Sequence, residues 1–276
     1  MEKKTEEIKK NVRDGYAKAV TQKTSCCSTN SCCSSTDQAK NISKKVGYSD
    51  TEIDAVPEGA NLGFGCGNPV AIASLKEGEI VLDLGSGAGF DAFLASPRVG
   101  PSGRVIGVDM TPEMLQRARA NAKKGNYANV EFRLGEIEKL PVEDSSIDVI
   151  ISNCVINLSP EKEKVFEEAF RALKPGGRLM VSDLVLTKDL PKEIKDSVEA
   201  YVGCLSGAIM KDEYLGFIKK AGFRDVKIVS QSNYPIEAMA NDVTAQVVNN
   251  NTDIKVSDLQ GVEDTVASIK VYAMKL

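Results

Sequence analysis

Seven cysteines and no histidine stand among the 276 residues of this chain. Four of them, Cys26, Cys27, Cys32 and Cys33, form two vicinal pairs within eight residues, whereas Cys66, Cys154 and Cys204 are far apart. Thiolates are soft ligands and nucleophiles, so the set suits metal or metalloid binding or a redox couple. Taken singly, each cysteine reads equally well as a buried small apolar residue or an unpaired surface thiol. The missing histidine removes a Ser/His/Asp triad, a histidine general base and a histidine-bound zinc together. Adjacent cysteines also fit ordinary C-x-x-C zinc spacing poorly.

The second chemical feature is Val81-Leu-Asp83-Leu-Gly85-Ser86-Gly87-Ala-Gly89-Phe-Asp91, an apolar run ending in a glycine turn that opens a helix. Such a turn lets a ligand approach the backbone closely. No Gly-Lys-Ser/Thr follows it, which excludes a Walker loop. The glycine spacing falls one residue short of the dinucleotide fingerprint, and Asp83 would repel a pyrophosphate. A cationic ligand is attracted instead, and S-adenosylmethionine carries an ammonium, a sulfonium and no phosphate. Asp109 lies about 20 residues past the turn, at the end of the next apolar run, where an acid can accept both ribose hydroxyls. Asp83, Gly85, Ser86, Gly87, Gly89 and Asp109 thus read as one nucleoside-binding set.

Positioning these groups requires a regular scaffold, and the hydrophobic pattern supplies one. Strands are expected at Ile80–Leu84, Arg104–Asp109, Asn129–Leu134, Ile147–Ser152 and Arg178–Leu186, with helices opening at Phe90, Thr111-Pro112 and Ser159-Pro160. The alternation predicts a doubly wound, mostly parallel α/β sheet. Beyond it the pattern predicts a helix from Pro191 to about Met210 carrying Cys204, a helix ending at Gly222, and strands Arg224–Ser230 and Ser268–Lys275. Before it, Ile8, Val12, Tyr16 and Val20 mark an amphipathic helix over residues 2–20, followed by a mobile loop from Thr21 to Lys40. Ser49-Asp-Thr-Glu52 is a capping box, and Asn68-Pro69 reads as N-cap and first helical residue. Gly59, Gly63, Gly65 and Gly67 make Cys66 part of a flexible loop. The chain divides accordingly into an N-terminal helix and Cys-rich loop (1–50), a core (51–190) and a covering segment with the final strands (191–276).

With 35 basic and 39 acidic side chains, the net charge of −4 excludes a globally basic nucleic-acid binder. At 42% hydrophobic and 27% charged residues, disorder is not the main state. No apolar run reaches the roughly 18 residues of a spanning helix, and the N-terminus lacks a signal-peptide core. A cytoplasmic, membrane-free monomer with reduced cysteines is expected.

Four segments carry a resemblance to class I S-adenosylmethionine methyltransferases over about residues 75–230: Asp83 to Gly89, Val108-Asp109-Met110, Gly135-Glu-Ile-Glu-Lys-Leu-Pro141 and Leu173-Lys-Pro-Gly-Gly177. The resemblance implies a seven-stranded Rossmann-like sheet with an antiparallel last strand. It also places Ile137 and Glu138 beside the adenine, Met110 beside the ribose, and Asn153 and Cys154 at the mouth of the transfer site. Ser152-Asn153-Cys154-Val155 lacks the Asn/Asp-Pro-Pro-aromatic loop of the resembling enzymes that methylate base amines. Val56 to Pro69 and Ile151 to Leu158 are, more specifically, similar to arsenite S-adenosylmethionine methyltransferases. That resemblance implies that Cys66, Cys154 and Cys204 hold trivalent arsenic, as arsenite or methylarsenite, in a thiolate pyramid. It further implies that Cys32 and Cys33 cycle between dithiol and disulfide, with an external thioredoxin- or glutathione-type reductant. Cys26 and Cys27 depart from the family pattern. Two other readings stay open: a small-molecule O-, N- or C-methyltransferase with incidental cysteines, which would need a base, and a thiol-rich metalloid-sequestering protein, which would need no methyl donor.

Overall fold

The computed structural model describes residues 2–21, 35–190, 206–233 and 265–276. Cys26, Cys27, Cys32, Cys33 and Cys204 lie outside the described residues, as does most of the helix expected from Pro191. Four helices come first: α1 (Glu2–Thr21), α2 (Ser35–Lys45), α3 (Asp50–Ala55) and α4 (Pro69–Ile72). The alternating core follows as β1 (Ile80–Leu84), α5 (Phe90–Val99), β2 (Arg104–Asp109), α6 (Pro112–Lys124), β3 (Val130–Leu134), β4 (Ile147–Asn153), α7 (Lys162–Ala172) and β5 (Leu173–Leu186). The chain ends with α8 (Lys211–Lys220), β6 (Arg224–Asn233) and β7 (Val266–Met274).

The seven strands form one sheet in the order β3-β2-β1-β4-β5-β7-β6. β1 to β5 are parallel, and β7 runs antiparallel between β5 and β6, as the family resemblance implied. Period-two alternation divides the core between the two faces of the sheet. Leu82, Leu84, Ile106, Val108 and Phe166 fill one layer, and Val81, Val105, Val149, Ile151 and Phe93 fill the other. Strand order reverses beside β1, which leaves a crevice beyond the carboxyl ends of β1 and β4.

Several local expectations are corrected. The loop expected up to Lys40 is already helical from Ser35. There Asp37 sits in the first turn and Ala39 is buried, so a polar composition concealed a helix docked by a small apolar face. The helix expected at Ser159-Pro160 begins at Lys162: the Ser159 hydroxyl donates to the Glu138 carboxylate and accepts from the Glu161 amide at 3.0 Å, in a turn ahead of the helix. Thr111 keeps its place as N-cap residue but makes no capping bond, because its hydroxyl goes to Asp109. β5 starts at Leu173 rather than Arg178, since Leu173 pairs with Ile147 ahead of a register shift. The expected helix does not reach Met210: residues 206–209 are turn or irregular, and Met210 bridges to Leu186. The Ser49 capping box and the Asn68 cap form as read. Among the described residues no helix is long and apolar enough to cross a membrane.

Candidate active site

A cleft of about 1370 Å³, counting its open mouth, lies at the carboxyl ends of β1, β2 and β4. Its floor holds Asp83, Gly85, Ser86, Gly87 and Asp109, and its walls include Met110, Ile137, Glu138, Asn153 and Cys154. Thus nine of the ten residues read as donor-binding line one space, together with one of the cysteines; the exception is Gly89. At Gly89 a Cβ would lie 2.6 Å from the Phe93 ring, so this glycine serves the packing of α5. Gly87 differs: its φ is +52° and no heavy atom lies within 4 Å of where a Cβ would sit. A side chain there would be strained and would occupy ligand space.

The floor of the cleft is a concentration of buried acids. Asp83 is buried at 3% exposure, and its Oδ2 has no hydrogen-bond partner. Burial, and then the neighbouring Asp91 and Asp109, push its pKa well above the ordinary value. Burial raises Asp91 to about 6, although the Tyr48 hydroxyl (2.7 Å) and Asn153 Nδ2 (3.0 Å) both donate to it. Asp109 is raised by burial and held back by amides, with Oδ2 accepting from Gly87 N (2.9 Å) and Oδ1 from Thr111 N (2.8 Å). Asp109 therefore ties the glycine turn to β2, a task its spacing did not reveal. An unpartnered buried carboxylate oxygen beside two further acids fits the ammonium of S-adenosylmethionine, and the open face of Gly87 fits its approach.

These shifts set a pH dependence. Groups with raised folded-state pKa values bind protons more tightly in the folded chain, so their stabilisation is full at low pH and is lost as pH rises through those values. The melting temperature of the ligand-free protein is expected to fall between about pH 5 and pH 8 through Asp91 and Asp183, raised by burial to about 6 and about 7. A cation bound beside Asp83 favours the charged form of a carboxyl that burial has raised, so donor binding should release protons and tighten as pH rises. Calorimetry in buffers of differing ionisation enthalpy checks the sign; proton uptake on binding would contradict it.

Helix α1 closes one side of the cleft through Lys9, Val12 and Tyr16, and Tyr16 packs edge-on against Phe64 at 5.5 Å. Lys9 is buried, with Nζ 2.8 Å from Glu136, 3.5 Å from Glu138 and 3.6 Å from Glu161. Burial opposes its charge, but Glu136 and Glu138 outweigh this and raise its pKa. Lys9→Ala leaves three carboxylates around a gap and is expected to destabilise the protein by about 1–3 kcal/mol. Thermal melting and proteolysis within residues 2–21 read this; unchanged protection of α1 would show that the contact is idle. The apolar stripe of α1 was legible, whereas its charged anchor was not.

The thiol half of the site adjoins the same floor. Cys66 and Cys154, separated by 88 residues, are joined as a disulfide with their Cα atoms 5.8 Å apart. The two sulfurs thus meet although nothing in their spacing said so, and Cys66, in an irregular segment as read, is held in place there. Cys66 is 3% exposed, its N–H donates to Asn153 Oδ1 at 3.0 Å, and its carbonyl accepts from Ser268 Oγ at 2.7 Å. Gly65 permits this close approach, with φ +115° and a Cβ position only 2.7 Å from Asn153 Nδ2. Asn153 Nδ2 also lies within hydrogen-bond distance of Tyr48 Oη (2.8 Å) and Gly67 O (2.9 Å), its two hydrogens shared among these and Asp91, so one amide joins the donor floor to the Cys66 segment. Cys154 sits at φ +57° directly after β4, an uncommon conformation for a side-chain-bearing residue. Asp183 completes a buried group with the two sulfurs, all three ligand atoms lying within 4.8 Å of one another. Burial raises Asp183 to about 7 against the Leu184 amide and Tyr214 hydroxyl that stabilise its charge.

Tyr48, Asp91 and Asp183 were missed in the sequence. Asp91 stood inside the quoted glycine motif, which was a signal; Tyr48 and Asp183 had none, because their partners come from distant segments.

A family profile described as a methyltransferase domain matches residues 75–222. The arsenite methyltransferase of Halobacterium salinarum is 48% identical over 231 residues, covering 81% of this chain and 59% of that protein. The human arsenite methyltransferase is 37% identical over 183 residues, covering 63% of this chain and 48% of that protein. The chain thus spans between about half and three fifths of the length of these two curated relatives. In three dimensions it is similar to the crystal structure of an arsenic(III) S-adenosylmethionine methyltransferase from Chlamydomonas reinhardtii. The TM-score is 0.64 and the identity 32%, covering 85% of this chain and 73% of that one. With the profile matching over half of the chain and that structural relative covered over nearly three quarters of its length, the chain belongs to the methyltransferase-domain family, among the arsenite methyltransferases.

Proposed function

We propose that this protein transfers the methyl group of S-adenosylmethionine to trivalent arsenic held by cysteine thiolates, giving methylated arsenicals. The observation that carries the reading is the meeting of Cys66 and Cys154 at the edge of a cleft floored by Asp83. Soft sulfur ligands suit a soft centre. When bound, S-adenosylmethionine supplies an electrophilic methyl group on a sulfonium. Asp83 and the Gly85–Gly87 turn hold the donor; Cys66, Cys154 and, from outside the described residues, Cys204 hold arsenic with its lone pair free. That lone pair forms the arsenic–carbon bond as the carbon–sulfonium bond breaks, its electrons staying on sulfur. No proton is removed, so a chain without histidine has what it needs, and catalysis rests on positioning.

Methyl transfer formally takes arsenic to the pentavalent state, and two electrons from a dithiol return it to the trivalent state as a disulfide forms. Cys32 and Cys33 are our assignment for that dithiol, with an external thioredoxin- or glutathione-type thiol resetting the protein. A site that needs free thiols fits a reducing cytoplasm, and we place the reaction there, on a monomer.

The test incubates the reduced protein with arsenite, S-adenosylmethionine and a thiol, then separates the arsenic species and quantifies S-adenosylhomocysteine. Methylated arsenic matching the S-adenosylhomocysteine formed supports the reading. Arsenite bound without any methylated product would point to sequestration, and S-adenosylhomocysteine formed only with an organic acceptor would point to a small-molecule methyltransferase.

A further inference from the structure

Resting on the arsenic reading above, we propose that Asp183 recognises the oxygen side of the substrate. Its carboxylate accepts a hydrogen bond from the hydroxyl that trivalent arsenic keeps after Cys66 and Cys154 have displaced its other two oxygens and before Cys204 displaces the last. The ligand atoms of the three residues lie within 4.8 Å of one another and all three residues are buried, so an arsenic seated between the sulfurs has its hydroxyl within reach of this carboxylate.

The carboxylate is held for such a contact. Oδ1 accepts from Asn157 Nδ2 at 2.8 Å and from the Leu184 amide at 3.0 Å. Oδ2 accepts from Tyr214 Oη at 3.1 Å, which takes one of that oxygen's two acceptor positions, and the Lys162 charge and the Asn157 backbone amide also favour the carboxylate form. Tyr214 is itself fixed, fully buried and edge-on to Phe166 at 5.3 Å. Leu184, the next residue on β5, lines the donor cleft, so Asp183 stands between the thiol pair and the core on a rigid strand.

The capture step balances without redox change. After a water-soluble phosphine has reduced the disulfide, taking an oxygen from water, the two thiols meet As(OH)3. Two arsenic–oxygen bonds break and two arsenic–sulfur bonds form, and each thiol hydrogen leaves with a hydroxyl as water. One hydroxyl remains on arsenic until Cys204 displaces it as water, and meanwhile its O–H donates to Asp183. A monoaryl arsenical bound by the same two sulfurs keeps no hydroxyl and gives Asp183 nothing to recognise.

The experiment uses the full chain with Cys26, Cys27, Cys32, Cys33 and Cys204 replaced by serine, so that Cys66 and Cys154 are the two thiols left of seven. The phosphine-reduced protein is titrated calorimetrically with arsenite and with phenylarsine oxide, with and without Asp183→Asn. Because Oδ1 is fixed as an acceptor, the substitution puts an amide donor where Oδ2 stood. Arsenite affinity should fall about tenfold, the scale of a lost charge-assisted hydrogen bond, while phenylarsine oxide affinity stays unchanged. Equal losses for both ligands would make Asp183 a structural residue and overturn the proposal, as would unchanged arsenite binding. If the parent protein bound neither arsenical, the thiol-pair reading would fail first, and the assignment of Asp183 with it.

Discussion

Replacing Cys66 or Cys154 by serine is expected to lower arsenite methylation about a hundredfold or more, while the affinity for S-adenosylmethionine changes little. Two remaining thiolates leave one arsenic position labile and the lone pair badly aimed, and misplacement of reacting atoms by about 1 Å carries a penalty of this size. Donor binding survives because the acids and glycines that form its floor are untouched; of the two cysteines only Cys154 borders that cleft. Cys204→Ser should show the same loss with arsenite. Methylarsenite already carries one carbon and needs two sulfurs, so one of the three single variants should retain the second methylation. Product speciation for each variant with both substrates decides this. Wild-type rates with arsenite in all three would sink the thiolate mechanism and favour a small-molecule acceptor.

Asp83→Asn should weaken S-adenosylmethionine binding by about 1–3 kcal/mol, the range for a hydrogen bond to a charged partner. The argument rests on the unpartnered Oδ2 and on burial at 3% exposure, which leave this carboxylate without a cation of its own. Burial with Asp91 and Asp109 nearby drives Asp83 toward its neutral form, so the ligand-free variant should melt no lower than the parent near pH 8. Loss of affinity without loss of stability separates a binding role from a structural one. Unchanged affinity by calorimetry would remove Asp83 from the donor site. A large drop in melting temperature with unchanged affinity would make it a packing residue.

The donor half of the site was legible because its residues are local. Asp83, the glycine turn and Asp109 fall on two neighbouring strands and the loop between them, where strand register alone sets Asp83 opposite Gly107. Helix starts were legible where a capping residue had no competitor. Ser49 caps as read, whereas the Thr111 hydroxyl turns to the Asp109 carboxylate and Ser159, donating to Glu138 and accepting from the Glu161 amide, sits in a turn ahead of its helix, which no local pattern announces. The helix at Ser35 was hidden by its polar composition, since tertiary docking of a small apolar face outweighs weak propensity.

By itself the sequence determined the alternating sheet, the acid-and-glycine floor and the exclusion of histidine chemistry, because these depend on period, spacing and composition. Only the tertiary structure decided that Cys66 meets Cys154 across 88 residues, that Asn153 anchors that meeting, and that Asp183 stands beside both sulfurs. The physical reason is that a contact between distant segments is set by loop closure and by the packing of the elements carrying them. Here the carboxyl ends of the interior strand β4 and of β5 and the turn before α4 converge, and residue spacing holds no record of that convergence.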